Sequence, residues 1–294
     1  MLAAQIGGNS KEACRTRPQA ADYTIEQRWR DYTPDEHGRW ERLYKRALET
    51  LQGRACTAFL DSVTSLRLPH DRIPDMDELS DRLASMTGWR VVPVAGLVPD
   101  EVFFDHLANR RFPAGAFIRS EREMDYLEEP DIFHDIFGHA PLLADPVFAD
   151  FMQAYGKGGQ RAAHLDSLKH LARLYWYTVE FGLVREGGEL RIFGAGILSS
   201  AGESVFSLED VSPHRIGFDL ERVMRTGYVI DDYQKNYFVI ESFEDLLAQC
   251  RQNFAPLYAR LHALPDLAPG ELVLEDDVIT RGTLRYFHER RASA

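Results

Sequence analysis

The sequence is poor in cysteine. Only three of its 294 residues are cysteines, Cys14, Cys56 and Cys250, and their spacing is not that of a metal cluster. An odd number of scattered thiols also excludes a complete disulfide framework of the kind that small secreted proteins use. We therefore expect reduced thiols and a reducing, cytoplasmic compartment.

Long apolar runs and an excess of basic side chains are also absent. No stretch approaches the ~18 consecutive apolar residues of a transmembrane helix, and the N-terminus has no apolar signal-peptide core. Lys and Arg number 34 against 46 Asp and Glu, which gives a formal net charge of −12. Because nucleic acids and anionic membranes attract basic surfaces, this balance argues against both as partners. We expect a soluble protein that binds neither.

Apolar residues are plentiful enough for a large core, at 45% of the chain. Local sequence patterns predict the N-termini of two helices. Thr33 and Glu36 are spaced as a capping box, and Asp75 is placed to cap a second helix that Gly88 can end. Apolar residues follow both starts at helical spacing.

Strand signals are short and few. Residues 89–96 are rich in valine and predict a strand, in which Pro93 implies an edge position. A second extended piece is predicted over 116–120. Residues 1–22 mix small, polar and charged side chains without periodicity, so they predict a disordered leader. The expected fold is mainly α (α+β), with a single helix-rich domain.

Residues 130–139, with the sequence PDIFHDIFGH, carry the most specific pattern. His134 and His139 stand five positions apart among apolar residues that would draw them into the interior. On a regular α-helix, residues five apart diverge by roughly 140°, so both rings could not easily reach one metal ion. We expect Gly138 to end the helix in a left-handed conformation, which would let His139 fold back.

A third metal ligand is expected from a helix predicted over 164–181, which Gly182 can end. Glu180 lies in its last turn, four residues after Trp176, within the nearly uncharged run 174–182. An unpaired carboxylate buried in such a run would cost several kcal/mol, and a metal ion would compensate its charge.

Two histidines and one carboxylate form the facial triad of non-haem Fe(II) oxygenases. The same ligands suit a catalytic zinc, so the triad alone leaves the metal and the chemistry open. The neighbouring Phe133 and Phe137 fit either the lining of an apolar active site or ordinary core packing.

Three motifs together resemble one family, the pterin-dependent aromatic amino acid hydroxylases, and within it the short bacterial phenylalanine hydroxylases. They are PDIFHDIFGHAP at 130–141, LYWYTVEFG at 174–182 and GAGILSS at 194–200. Their order and spacing are similar to those of the family from about residue 32 to about residue 258. The resemblance implies a catalytic domain over 23–263, with short strands near the metal site, and a C-terminal tail over 264–294.

The resemblance also implies the cofactors and the residues that hold them. Fe(II) would be bound by His134, His139 and Glu180, and tetrahydrobiopterin or a related tetrahydropterin would be the second cofactor. The implied pterin-binding residues are Gly96, Val98, Phe103, Asp135, Ala172 and Tyr175. The implied substrate-binding residues are Arg119, Asp131, Trp176, Gly196 and Ser199.

For two of these positions the resemblance implies a specific physical role. Arg119 would hold the substrate carboxylate through paired hydrogen bonds, and Asp131 would either orient Arg119 or cap the helix of His134. Asp135 stands where animal members carry glutamate, and Leu127 stands where they carry threonine.

The implied activity is that of a phenylalanine 4-monooxygenase, a monomer that forms L-tyrosine from L-phenylalanine and O₂ in phenylalanine catabolism. Ile230 aligns with a position that is apolar in phenylalanine hydroxylases and acidic in tyrosine hydroxylases, which favours an unsubstituted ring. Within the family, phenylalanine 3-hydroxylation and tryptophan 5-hydroxylation are the alternatives. From other classes, a zinc-dependent hydrolase with Asp135 as base and a non-enzymatic, metal-stabilised binding protein also use such a site.

Overall fold

The computed structural model describes residues 8–125 and 129–293, and its regular elements are mostly helices. The α-helices of these residues are α1 Lys11–Arg15, α2 Pro34–Leu51, α3 Thr57–Ser65, α4 Met76–Thr87, α5 Asp100–Ala108, α6 Pro146–His164, α7 Leu168–Tyr175, α8 Ala195–Leu198, α9 Ala201–Glu209, α10 Leu220–Arg225, α11 Phe243–Cys250, α12 Ala255–Ala263 and α13 Arg285–Ser293. The β-strands are β1 Arg90–Val94, β2 Arg111–Gly115, β3 Leu183–Glu186, β4 Glu189–Ile192, β5 His214–Gly217, β6 Asn236–Ile240 and β7 Val278–Thr280. Two further segments, Phe133–His139 and Trp176–Glu180, are π-helical. The excess of helix over strand confirms the expected fold class.

Both helix starts predicted from local sequence are confirmed. The backbone N–H of Thr33 donates to Glu36 Oε2 at 2.7 Å, and the N–H of Glu36 donates to Thr33 Oγ1 at 3.2 Å, which completes the capping box of α2. Asp75 Oδ1 accepts the N–H of Asp77 at 2.9 Å at the start of α4. Gly88 ends that helix at a φ of 78°, a conformation that costs glycine little.

The chain divides into two compact units. The first comprises Met1–Glu49 and Ala58–Lys157, and the second comprises Thr50–Thr57 and Gly158–Ala294. Among the described residues, no helix combines the length and the apolar character that crossing a bilayer requires. Leu127 lies outside the described residues.

The first unit contains a two-stranded parallel sheet, β1 with β2. Pro93 therefore stands in an edge strand, as predicted. The strand expected over 116–120 is misplaced, because β2 ends at Gly115. Beyond that point the N–H of Arg119 donates to the Asp131 carboxylate at 2.8 Å rather than to a neighbouring strand.

For residues 8–22 the structure differs from the expected disordered leader. Ser10 caps α1 by accepting the N–H of Ala13 at 3.2 Å, and the side chain of Cys14 is fully buried with Ile25 and Phe117. Composition does not show which distant residues a segment contacts. The sequence therefore predicted disorder where tertiary contacts stabilise a short helix. The domain limits at 23, 263 and 264 stay predictions.

The second unit is built on a five-stranded sheet with the order β4-β3-β6-β5-β7. The single helix predicted over 164–181 is wrong in two places. Asp166 adopts a φ of 49°, which separates α6 from α7, and the last turn before Gly182 is π-helical. The short helix α10 and the strand β6 also belong to this unit.

A buried carboxylic acid lies between α9 and β6 in the second unit. Glu203 is 6% exposed, and Glu203 Oε1 accepts the hydroxyl of Tyr237 at 2.7 Å and the N–H of Gln234 at 3.3 Å. Burial raises the pKa of Glu203 to about 8; these two hydrogen bonds oppose the rise, and the nearby Asp232 charge adds to it. Glu203 is therefore mostly protonated at neutral pH.

Replacing Glu203 by glutamine should flatten the pH dependence of stability. Between the unfolded pKa near 4.5 and the folded value of about 8, the folded chain holds a proton that the unfolded chain has lost. The free energy of unfolding of the unmutated protein should therefore fall as pH rises through this window, by up to about 1.4 kcal/mol per pH unit. Glu203→Gln has no proton to release. In urea unfolding at pH 5 to 9, its free energy of unfolding relative to that of the unmutated protein should therefore increase with pH.

Glu209→Gln is the matched control, since Glu209 ends the same helix with a side chain that is 53% exposed. The free energy of unfolding of Glu209→Gln should change with pH in the same way as that of the unmutated protein. Parallel pH curves for the Glu203→Gln variant and the unmutated chain would contradict the assignment of a buried proton to Glu203.

Candidate active site

A π-helical turn brings the two motif histidines together. The N–H of Ala140 donates to the carbonyl of Asp135 at 3.3 Å, five residues earlier, so this turn is wider than an α-helical one. Residues five apart then lie over one another, and His134 Nε2 stands 3.1 Å from His139 Nε2. The expectation that Gly138 ends the helix is wrong, because Gly138 lies inside the π-helix.

The two imidazole nitrogens fit one metal ion. Ligand nitrogens bound at ~2.1 Å and at right angles around a metal are about 3 Å apart, which matches the observed separation of 3.1 Å. The two rings are nearly perpendicular, at 83°, and His139 also packs against Phe112 with ring centroids 4.8 Å apart. Together with the Asp135 carboxylate, they form a group whose ligand atoms all lie within 4.8 Å of one another.

Asp135 is tied to the end of the parallel sheet. Its Oδ2 accepts the N–H of Gly115, the last residue of β2, at 2.7 Å, and its side chain is buried. This hydrogen bond ties the π-helix that carries the two histidines to the end of β2.

Asp131 performs both of the roles that the sequence left open for it. Its Oδ2 accepts Arg119 Nε at 2.9 Å and the N–H of Arg119, while its Oδ1 accepts Arg119 Nη2 at 2.8 Å. The same Oδ1 accepts the backbone N–H of His134 at 3.0 Å, at the start of the π-helix. One carboxylate therefore fixes both the guanidinium and the histidine-bearing turn.

Charge pairing decides the ionisation of this buried couple. Burial alone would raise the pKa of Asp131 and lower that of Arg119. The opposite charges and their hydrogen bonds outweigh burial, so the pKa of Asp131 lies below its ordinary value and that of Arg119 above. Both groups stay charged, with Arg119 6% exposed and Asp131 fully buried.

Gly96 and Val98, two of the implied pterin-binding residues, follow β1, and Phe103 lies in the first turn of α5. The carboxylate of Glu129 lies against Gly96 and accepts the N–H of Leu97 at 3.4 Å.

Sequence reasoning missed Glu129. It is ion-paired with Lys11 and, at 2.9 Å, with Arg15 of α1. No local signal could have found these pairs, since more than a hundred residues separate Glu129 from α1.

The other implied site residues belong to the second unit. They are Ala172 and Tyr175 on α7, Trp176 and Glu180 on the π-helix, Gly196 on α8, and Ser199 just after it. This second π-helix is closed by the N–H of Phe181, which donates to the carbonyl of Trp176 at 2.8 Å.

The glycines of the GAGILSS motif allow a close approach to the end of that π-helix. A side chain at Gly194 would overlap the backbone of Glu180, and one at Gly196 would meet the Phe181 ring at 2.8 Å. Ser199 Oγ donates to the carbonyl of Ala195 at 2.8 Å. The ligand and substrate roles of these residues stay predictions.

The neighbouring aromatic residues of the first motif have a structural role. Phe133 and Phe137 are 1% and 0% exposed and stack at 4.9 Å, and they pack edge-on against Trp40 and Tyr44. Of the two readings that the sequence left open, core packing is the one observed. This aromatic cluster supports the π-helix from the side of α2.

Comparison with known proteins places this site in a family. The model of the biopterin-dependent aromatic amino acid hydroxylases matches residues 15–264. Curated relatives include the phenylalanine-4-hydroxylase of Caulobacter vibrioides, 57% identical over 265 residues and 90% of each chain. That of Chromobacterium violaceum is 52% identical over 260 residues, which cover 87% of this chain and 88% of the relative.

Solved structures agree with the sequence relatives. The crystal structure of Chromobacterium violaceum phenylalanine hydroxylase bound to cobalt superposes with a TM-score of 0.90 at 46% identity, covering 95% of this chain and 100% of that one. The helix-rich fold is therefore that of an aromatic amino acid hydroxylase. With a family model that matches residues 15–264 and relatives that match across most of their length, this chain belongs to the biopterin-dependent aromatic amino acid hydroxylases.

Proposed function

We propose that this protein is a phenylalanine 4-monooxygenase, which converts L-phenylalanine, O₂ and a tetrahydropterin to L-tyrosine and the hydroxylated pterin. The observation that carries the proposal is the pair of imidazole nitrogens 3.1 Å apart on the π-helix, in a member of the pterin-dependent hydroxylase family. The relatives from Caulobacter vibrioides and Chromobacterium violaceum are both named phenylalanine-4-hydroxylase, which supports this substrate.

The proposed metal ligands are His134, His139 and Glu180, with Fe(II) as the metal. When bound, Fe(II) and tetrahydrobiopterin supply the activation of O₂. The chain holds His134 in place through the bond from its N–H to Asp131, and it places His139 over it through the π-helical turn. Fixing two ligands before the metal arrives lowers the cost of forming the site.

The substrate carboxylate is proposed to bind Arg119. Asp131 takes two of the five side-chain N–H donors of this guanidinium, through Nε and Nη2, and leaves a further face for a ligand. An arginine locked in this way offers its donors in a fixed plane, so the bound amino acid is oriented as well as attracted. Trp176, Gly196 and Ser199 are the other proposed substrate-binding residues.

The pterin is proposed to bind along Gly96, Val98 and Phe103, with Asp135, Ala172 and Tyr175 as the remaining contacts. Phe103 offers a ring for stacking on a flat heterocycle, and Gly96 allows close approach of the backbone. Glu129, which accepts the N–H of Leu97, helps to hold this loop.

Two further proposals concern the cellular compartment and the oligomeric state. We propose a cytoplasmic location, supported by three free thiols, of which Cys14 and Cys56 are buried. We also propose a monomer. Sedimentation equilibrium of the purified chain should give the mass of 33.6 kDa, and a tetramer would contradict the monomer.

The reaction is tested by identifying products. Purified protein is given Fe(II), a tetrahydropterin, O₂ and an equimolar mixture of phenylalanine, tyrosine and tryptophan, and every hydroxylated amino acid is identified by mass and chromatography. L-tyrosine should form from phenylalanine. His134→Ala and Glu180→Ala should abolish its formation and reduce iron content in metal analysis, since each removes a proposed ligand.

His164→Ala is the control, because His164 is exposed and lies outside the motifs. It should keep both iron and activity. Formation of 3-hydroxyphenylalanine or 5-hydroxytryptophan would overturn the assigned reaction but leave the cofactors, whereas the absence of any hydroxylated product would point to the hydrolase.

Removing the negative charge of Asp131 should harm both stability and substrate binding. In Asp131→Asn, Arg119 stays buried without its counter-charge, and breaking a buried pair in this way costs about 3–5 kcal/mol of unfolding free energy. Because the guanidinium loses its fixed orientation, the KM for phenylalanine should rise about tenfold or more. Urea unfolding and steady-state kinetics measure the two effects.

Asp81→Asn provides the comparison, since Asp81 pairs with Arg90 at 3.2 Å and the two side chains are 76% and 52% exposed. An exposed pair contributes only about 0–1 kcal/mol, so this variant should be almost unaffected. Equal losses of stability in the two variants would contradict the claim that the buried Asp131–Arg119 pair contributes more to stability than an exposed pair.

A further inference from the structure

The indole of Trp176 contacts the ring of Phe181, with centroids 4.7 Å apart, and is hydrogen-bonded and stacked by one segment of the second unit, residues 227–235. Trp176 Nε1 donates to Gln234 Oε1 at 3.0 Å. The ring of Tyr228 stacks on the indole, with centroids 4.2 Å apart and planes within 12°. The hydrogen bond and the stacked ring together fix the position of the indole and its rotation within its plane.

The amide of Gln234 can point only one way. Its Nε2 donates to the carbonyl of Val229 at 3.1 Å and to that of Asp232 at 3.2 Å. Turning the amide over would place its oxygen against two carbonyl oxygens and its NH₂ against the indole N–H. Gln234 therefore always presents an acceptor to Trp176, and at 2% exposure it is shielded from water.

The backbone that carries Gln234 is anchored from both sides. The N–H of Gln234 donates to Glu203 at 3.3 Å, and Glu203 is held in turn by Tyr237 at 2.7 Å. Two residues earlier, Asp232 Oδ1 accepts Tyr286 Oη at 3.1 Å and Arg290 Nη1 at 2.8 Å, both from α13. The segment is therefore clamped to α9, β6 and the C-terminal helix.

We propose that Gln234 is a positioning residue, which sets the orientation of Trp176 and through it the affinity for the aromatic ring of the substrate. This inference rests on the proposed function, in which Trp176 contacts the substrate. Gln234 acts only through the indole. Its loss should therefore change phenylalanine binding without changing the binding of the tetrahydropterin.

The test begins with Gln234→Met, which keeps the length of the side chain but removes its hydrogen bonds. In protein labelled with ¹⁵N-tryptophan, four indole N–H signals are expected, and Trp176→Phe identifies the one that belongs to Trp176. That signal should shift in Gln234→Met. The KM for phenylalanine should rise about five- to tenfold, as expected for one lost hydrogen bond of ordinary strength, with the KM for tetrahydropterin unchanged.

A double-mutant cycle separates positioning from a merely structural role. If Gln234 acts through Trp176, adding Gln234→Met to Trp176→Phe should cause no further rise in the KM for phenylalanine. Additive effects would overturn the proposal. Gln234→Asn keeps an amide but shortens the side chain by one methylene group, so it should weaken the bond to the indole, shift the indole signal and raise the KM for phenylalanine by a smaller factor; it serves if Gln234→Met does not fold.

Gln27→Met is the matched control. Gln27 is a buried glutamine of the first unit that donates to the carbonyl of Pro74 at 2.9 Å and accepts the N–H of Met76 at 2.9 Å. The Gln27→Met variant should have a lower melting temperature, but its Trp176 signal and both KM values should be unchanged. An unmutated chain that forms no tyrosine would contradict the proposed function, whereas normal turnover with an unshifted indole in Gln234→Met would overturn only the role of Gln234.

Discussion

The carboxylate of Asp131 is the interaction on which the first half of the site depends. It is fully buried and accepts four N–H donors, three from Arg119 and one from His134. A charge in the interior is tolerated only when it is paired and hydrogen-bonded, and here both conditions are met. Since the donors come from the proposed substrate-binding arginine and from a proposed metal ligand, one buried anion holds the two functions in a fixed relation.

The π-helix is the second constraint, and it explains a spacing that looks wrong for one metal. A wider turn is less favourable than an α-helical one and persists only when packing holds it. The stacked Phe133 and Phe137, together with Trp40 and Tyr44 on α2, provide that packing. The proposed third ligand, Glu180, also lies at the end of a π-helical segment. In both places the widened turn carries a residue of the proposed site.

Local signals predicted the structure well where the bonding groups are close in sequence. Thr33 and Glu36 cap α2, and Asp75 caps α4, because each bond spans three residues or fewer. The same reasoning failed for residues 8–22. Arg15 finds its partner in Glu129, and Cys14 packs with Ile25 and Phe117, all of which depend on the folded chain. It also failed at Gly138, where a left-handed helix end was expected and a π-helix is found.

By itself the sequence determined the helix-rich class, the helix starts and the chemical types of the site residues, because composition, caps and motif order are properties of neighbouring positions. Only the tertiary structure decided how His134 and His139 meet, which groups Asp131 binds, and that Gln234 holds Trp176. These arrangements depend on a non-standard helical turn and on bonds between residues up to 58 positions apart. Such contacts form only when packing and the satisfaction of buried polar groups act together across the whole fold.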